Sequence, residues 1–150
     1  MATWLYQLDN SEWSANNYRL DIWEGERWEW PVKRATGLDH PPASGDKVLF
    51  FYAPSGCDEP GFYGLAVITH WIDETRNGER DRRFYFRPVN PSDRLKMRPW
   101  WNEQEAKSLA AQIRGAVKQG TLWPVPPNLA EQVIANLYAW ATGAQTGGQQ

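Results

Sequence analysis

The segment that most constrains the fold is the apolar run Lys47 to Tyr52, with the sequence KVLFFY. Five consecutive apolar or aromatic residues follow the lysine, so a strand built from them has two faces that avoid water. Such a strand needs packed material on both sides. The run therefore predicts the central strand of a small sheet.

Other segments with strand-like composition flank this central run. Thr3 to Leu8 is rich in β-branched, aromatic and aliphatic residues and predicts a first strand. Phe62 to Trp71 predicts a strand that returns antiparallel to the central one, with a bulge or a close backbone approach at Gly64. Arg83 to Val89 predicts a further strand, which follows a turn at Asn77-Gly78.

The second half of the chain carries helical patterns. Asn102 to Gly120 has a capping asparagine, one apolar face and a terminal glycine, and it predicts a helix. Leu122-Trp123 predicts a short strand, and Asn128 to Gly143 predicts a second helix. Glu12 to Trp30 shows no clean period of 3.6 or 2 and is expected to be irregular.

Consecutive strands followed by two helices predict an α+β domain built on a partly closed barrel of about five or six strands with flanking helices. A chain of 150 residues corresponds to about one domain. We expect residues 1–143 to form that domain and residues 144–150, which have almost nothing apolar to bury, to be a disordered tail.

Composition excludes several classes of protein. Cys57 has no second cysteine to pair with, and with only His40 and His70 beside it there are too few soft ligands for a structural zinc site. We expect no metal and no cofactor. No apolar run is long enough to cross a membrane, and the first nine residues do not resemble a signal peptide. The expectation is a cytoplasmic protein that has no membrane partner.

Ten tryptophans are an unusual number for a chain of this length. Tryptophan is large and seldom completely buried, so some of the ten should line a groove or pocket. Trp4, Trp13, Trp123 and Trp140 are expected to pack in the core or at its rim, and the pair Trp100-Trp101 either forms a wall or seals a helix onto the barrel. The better pocket candidates lie in irregular segments or at a strand end: Trp23, Trp28, Trp30 and Trp71.

Charge is unevenly distributed, although the formal net charge is only -2. Between Arg76 and Arg98 there are eight basic and three acidic residues, whereas residues 1–31 hold two basic and six acidic ones. Cations beside aromatic rings are typical of proteins that bind single-stranded or flipped nucleotides. A solvated, charged hairpin explains the same pattern equally well.

Enzyme signatures are absent from the sequence. It contains no P-loop, no GxGxxG, no GxSxG and no HExxH. His70, beside Trp71 in a predicted strand, has the chemistry of an acid or base, but a structural histidine is the more common case. The sequence therefore predicts a binding protein and not an enzyme.

The order of these features resembles the PUA-like superfamily, specifically its EVE and YTH branches. The most specific segments are Gly45 to Gly56, GDKVLFFYAPSG, and Gly61 to Ile68, GFYGLAVI. The resemblance covers roughly residues 3–133. It implies a small open β-barrel with flanking helices that takes a modified nucleobase into an aromatic pocket without catalysis.

The resemblance also implies site residues. By similarity to YTH-like members, Trp23 and Trp71 form the cage, and Asp9 or Asn10 after the first strand bonds the base edge. By similarity to EVE members, Trp28 or Trp30 is the nearest counterpart of a tryptophan before the central strand, although the Arg-Asn pair of that element is not reproduced. The end of the central strand places Tyr52 and Ser55 where EVE members have a tyrosine and a polar turn.

The leading hypothesis is a reader of a modified base. It would accept methylated or hydroxymethylated cytosine, or N6-methyladenine, from a flipped or single-stranded nucleotide. Phosphate contacts would come from Arg82, Arg83, Arg94 and Lys96. Two alternatives are a small-ligand or protein-interaction module and, less favoured, a nucleotide-processing or RNA-processing hydrolase that uses His70.

Several questions stay open at the level of sequence. They are whether the nucleic acid is DNA or RNA, which modified base is bound, and which of Trp23, Trp28 and Trp30 joins the cage. It is also open whether the protein acts alone or with a nuclease or modification-system partner.

Overall fold

The computed structural model describes residues 2–8, 29–32, 40–54, 59–92, 94–114 and 122–143, without the side chains of Trp30, Lys96, Met97 and Arg114. The elements in chain order are β1 (Thr3–Leu8), β2 (Glu29–Pro31), β3 (Lys47–Tyr52), β4 (Gly61–Arg76), β5 (Glu79–Pro88), α1 (Arg94–Met97), α2 (Glu105–Arg114), β6 (Leu122–Pro124) and α3 (Pro127–Ala141). The strands form one mixed sheet in the order β2-β5-β4-β3-β1-β6. β1 is parallel to β3, and the other pairs are antiparallel.

The sheet curls strongly, as contacts between non-adjacent strands show. Strands β1 and β5 are three positions apart, which is about 14 Å in a flat sheet. The rings of Tyr6 on β1 and Phe84 on β5 nevertheless lie 5.1 Å apart, centroid to centroid. The Tyr6 hydroxyl also donates to the carbonyl of Pro31 on β2, at 2.5 Å. The result is a curled half-barrel, which confirms the predicted α+β barrel-like fold.

The central strand β3 is buried on both faces, as its apolar run predicts. Val48, Phe50 and Tyr52 belong to a core on the concave side of the sheet, here called the inner face. Leu49 and Phe51 belong to a second core on the opposite side, here called the helix face. The period of two along the strand thus distributes one apolar run between two cores.

The helix face is covered by α2 and α3. Asn102 caps α2, because its Oδ1 accepts hydrogen bonds from the backbone amides of Gln104 at 3.2 Å and Ala106 at 3.0 Å. This confirms the predicted cap. The predicted end of this helix at Gly120 lies outside the described residues.

Most of the tryptophans expected in the core or at its rim are found there. Trp4 and Trp140 are buried, and Trp123 is half-buried against the core of the helix face. Trp100 is fully buried and stacks on Phe62 at 5.5 Å, so it seals the helix side of the sheet. Trp13 lies outside the described residues.

One expectation about elements was wrong, and one element was not predicted. Glu29 and Trp30, expected to be irregular, form strand β2 with Pro31, because β5 supplies hydrogen-bond partners at Tyr85, Phe84 and Arg83. The short helix α1 has no counterpart among the predicted elements.

The hairpin of β4 and β5 is longer than predicted. Its strands continue through polar residues up to Arg76 and Glu79, with the turn at Asn77-Gly78. Both turn residues have positive φ, 52° and 81°, as two-residue hairpin turns require. The register shift predicted around Gly64 is present, between the partners of Phe50 and Phe51. The outer part of this hairpin, residues 69–82, is called the arm below.

Candidate functional site

Several predicted site residues lie outside the described part of the chain: Asp9, Asn10, Trp23, Trp28 and Ser55. For Trp30 and Lys96 the structure describes the backbone only. The predicted residues whose side chains can be placed are Tyr52, Trp71, Arg82, Arg83 and Arg94.

Tyr52 and Trp71 lie at opposite ends of the inner face. Tyr52 is opposite Gly61 on β4, and Trp71 is ten residues further along the same strand. Ten residues of straight strand span about 33 Å, far more than the width of a base. Tyr52 is also fully buried, edge-on to Tyr63 at 4.9 Å. The structure therefore does not bring these two predicted base contacts together.

Of these two residues, Trp71 has the position more suitable for contact with a base. It lies directly opposite Phe84 on β5 and packs half-buried at the margin of the inner core. Phe84 is in turn opposite Trp30 on β2. One row of the sheet thus contains the positions of Trp30, Phe84 and Trp71 on three neighbouring strands. We call this row of three positions the Trp71 end.

The predicted phosphate contacts are divided between different surfaces. Arg82 is opposite Asp73, two positions beyond Trp71 on β4, and so lies on the same face as Trp71. Arg83 is on the other face, between the carboxylates of Asp81 at 2.7 Å and Glu29 at 2.9 Å. The hydrogen bond from Arg83 lowers the pKa of Asp81.

Arg94 lies far from Trp71. It is on α1, and its guanidinium sits 4.0 Å from the ring centroid of Trp140 on α3, a cation–π contact between helices. Lys96 belongs to the same short helix. Of the four predicted phosphate contacts, only Arg82 is placed beside Trp71.

The arm has no excess of positive charge, which the count between Arg76 and Arg98 did not indicate. Residues 69–82 contain three arginines and four carboxylates, because Asp73 and Glu74 precede the stretch that was counted. Arg80 bonds Asp73 through two 2.8 Å hydrogen bonds, and Arg76 bonds Glu74. The paired Arg80 lowers the pKa of Asp73.

Asp73 itself was missed by sequence reasoning. By strand alternation it lies on the same face as Trp71, two residues away. A carboxylate beside an aromatic ring is able to accept hydrogen bonds from an exocyclic amine. The polar composition of this part of the chain suggested only a turn, so no pattern in the residues indicated that Asp73 lies on a strand face.

A second missed residue is Asp46, whose carboxylate is buried just before β3. It accepts hydrogen bonds from Trp4 Nε1 at 3.0 Å and from the amides of Ala43 and Ala2 at 3.0 and 3.1 Å. Burial alone would raise its pKa, but these hydrogen bonds outweigh that effect and the pKa is lowered. Asp46 thus fixes the segment before β3 to the beginning of β1.

His70 is exposed on the face opposite to Trp71. Its Nδ1 lies 3.1 Å from Thr69 Oγ1, and its ring is edge-on to Tyr85 at 5.9 Å. No carboxylate is paired with it among the described residues. Nor do the described residues contain a group of three or more side chains able to hold a metal ion. No helix in the described ranges is long and apolar enough to cross a membrane.

Comparison with known proteins identifies the fold alone. No protein-family profile matches the sequence, and no curated protein matches it either. Solved structures do match over most of their length and of this chain.

A protein from Pseudomonas syringae shares 15% identity and a TM-score of 0.54, with 91% of this chain and 99% of that one covered. A protein from Pseudomonas putida shares 15% identity and a TM-score of 0.51, with 91% of this chain and 99% of that one covered. A hypothetical protein from Leishmania major shares 14% identity and a TM-score of 0.52, with 91% of this chain and 94% of that one covered. At these identities the likeness concerns architecture only.

Proposed function

We propose that this protein is a non-catalytic reader that binds a modified nucleobase at the Trp71 end of its half-barrel. The finer assignment, to the EVE branch of the PUA-like superfamily, belongs to the same proposal. It draws on the motifs in residues 45–56 and 61–68, and the barrel-like fold is compatible with it.

The observation that carries the proposal is the row of Trp30, Phe84 and Trp71 across three strands. Trp71 is only half-buried, so part of a large ring remains accessible at the edge of an aromatic core. Stacking of a base on such a ring contributes about 1–3 kcal/mol.

Polar groups near Trp71 supply the complementary contacts. Arg82 shares its face and offers a cation for a phosphate. Asp73, held by Arg80, is an acceptor for the exocyclic amine that adenine and cytosine both carry. Asp73 joins Asp9 and Asn10, predicted from the resemblance, as a candidate for reading the base edge.

The test is a fluorescence titration with short oligonucleotides that differ in one modified base, for DNA and for RNA. We expect saturable tryptophan quenching that favours one modification. Trp71→Phe should weaken binding of the preferred strand about tenfold, because a smaller ring stacks less well. Trp71→Ala should weaken it further and should remove the preference between modified and unmodified strands.

The matched control is Trp123→Phe, the same exchange at a half-buried tryptophan on β6 that packs against the helix face. It should leave affinity and preference unchanged. Equal effects of the two exchanges, or saturable binding without preference for any modified base, would contradict the proposal. Binding of a small molecule or a protein in place of oligonucleotides would favour the alternative module.

A further inference from the structure

The helix face of the sheet is not covered along its whole length. The core beneath α2 and α3 includes Leu49 on β3 and Leu65 on β4. Two residues along each strand, Lys47 and Val67 are only half-buried, and Arg87 beside them on β5 is exposed. Cover by the described helices therefore ends between these two rows.

Beyond that boundary the sheet presents cations and rings on one surface. Lys47 is opposite Val67, and Val67 is opposite Arg87, so the two cations flank one valine on adjacent strands. Tyr85 lies two positions from Arg87 on the same face, half-buried and in ring contact with His70. We call these five residues the outer patch.

The cations of the outer patch differ from those of the arm. In the described part of the chain, neither Lys47 nor Arg87 has a carboxylate within ion-pair distance, whereas Arg76, Arg80 and Arg83 each do. Their stems are about 10 Å apart across two strand spacings. Two cations at that separation, with no ion pair among the described residues, can reach separate phosphates of one strand.

We propose that the outer patch binds the sugar-phosphate backbone of single-stranded nucleic acid, with Lys47 and Arg87 on phosphates and Tyr85 as a platform for an unpaired base. This inference rests on the proposed function and extends it to a second contact surface. Charge complementarity favours a polyanion, and an aromatic ring on an open sheet face favours unpaired bases. A protein partner is the alternative occupant.

The position of the outer patch relative to Trp71 is favourable. His70 and Trp71 are consecutive residues of β4, with side chains on opposite faces of the sheet. A nucleic-acid strand on the outer patch would reach Trp71 by passing around the edge of β4, whose pairing with β3 ends at Val67 opposite Lys47. The outer patch would supply general affinity, and the Trp71 end would supply the preference for one base.

The experiment is fluorescence anisotropy of a labelled unmodified single strand with the double variant Lys47→Gln/Arg87→Gln at several salt concentrations. We expect affinity to fall about tenfold or more at low salt. The slope of log K against log salt should decrease by about 1.4, the value for two lost phosphate contacts on a single strand. The control is Arg76→Gln/Lys107→Gln, which changes the net charge equally at exposed, ion-paired positions.

The outcomes separate this inference from the base-reading proposal. An unchanged slope in the double variant, or the same decrease in the control, would overturn the outer patch. The ratio of affinities for modified and unmodified strands should be retained in the double variant and lost in Trp71→Ala. If no strand shows a preference but the double variant still lowers affinity and slope, the outer patch is supported and the base reader is not.

A complete lack of oligonucleotide binding would overturn both proposals. In that case, concentration-dependent self-association in sedimentation, lost in the double variant, would assign the outer patch to a protein partner.

Discussion

At the scale of single residues, buried Asp46 is expected to contribute to stability through its hydrogen bonds. Burial of a carboxylate costs free energy unless hydrogen bonds replace those it made to water. Asp46 accepts three hydrogen bonds, two from the beginning of β1 and one from Ala43. One donor, Trp4 Nε1, is itself buried. The acid thus acts as a junction between β1 and the segment that precedes β3.

Asp46→Asn should lower the free energy of unfolding by about 2–3 kcal/mol, because one amide nitrogen replaces an accepting oxygen and leaves a buried donor unbonded. Urea denaturation followed by tryptophan fluorescence measures the change. Asp73→Asn, at an exposed ion pair of the arm, is the control and should have a much smaller effect. Equal destabilisation by the two exchanges would show that the buried junction has no special role.

The lowered pKa of Asp46 also gives its contribution a pH dependence. A carboxyl group with a lower pKa in the folded protein contributes stability that is present above its unfolded pKa of about 3.9. That contribution is lost as the pH falls through the folded pKa. The difference in unfolding free energy between wild type and Asp46→Asn should therefore be constant near neutrality and shrink below about pH 4. A difference that grows on acidification would contradict this linkage.

At the scale of elements, the arm depends on its turn. Gly78 has a φ of 81°, and a Cβ added there would meet no atom within 4 Å, so a side chain is strained by backbone conformation and not by collision. Gly78→Ala should cost about 1–2 kcal/mol within the arm. Hydrogen exchange should accelerate in residues 73–82 and stay unchanged in β3. Uniform acceleration across the sheet would indicate that the arm is part of the global folding unit.

The elements also show what sequence could predict. β1 and β3 were predicted with their observed bounds, because continuous apolar or β-branched runs bounded by polar turns specify buried strands. β2 was missed because three residues, one of them proline, have little propensity of their own and are defined by pairing with β5. The extension of β4 to Arg76 was missed for a related reason: its residues are polar and pair with β5, with one cross-strand ion pair between Asp73 and Arg80, and such a segment has no hydrophobic period.

The candidate site was likewise predictable where local sequence defines it and not where strand pairing does. The side-chain type of Trp71 and its position near a strand end were sufficient to select it. The separation of Tyr52 from Trp71 was not predictable, because it depends on the register of β4 against β3. Charge counted along the sequence was misleading for Arg83, since its partner Glu29 is 54 residues away.

At the scale of the whole molecule, two cores share one sheet. Residues of β1, β3 and β4 alternate between them, so loss of one core removes support from the other. Phe50→Ala on the inner face and Leu137→Ala on the helix face should each lower the free energy of unfolding by about 3–4 kcal/mol. Fluorescence and far-UV circular dichroism should report one coincident transition for both variants. Separate transitions in either variant would mean that the two cores unfold independently.

The place of β1 between β3 and β6 has a consequence for biosynthesis. Its nearest partners begin 44 residues later, and its last partner, β6, ends at Pro124. At a synthesis rate of about 5–20 residues per second, β1 waits roughly 6–24 s before β6 has been made. During that interval an apolar strand with Trp4, Leu5 and Tyr6 leaves the ribosome without its final neighbour. A nascent chain of this protein is therefore expected to engage chaperones before β6 is made and to complete this sheet only after β6 has left the ribosome.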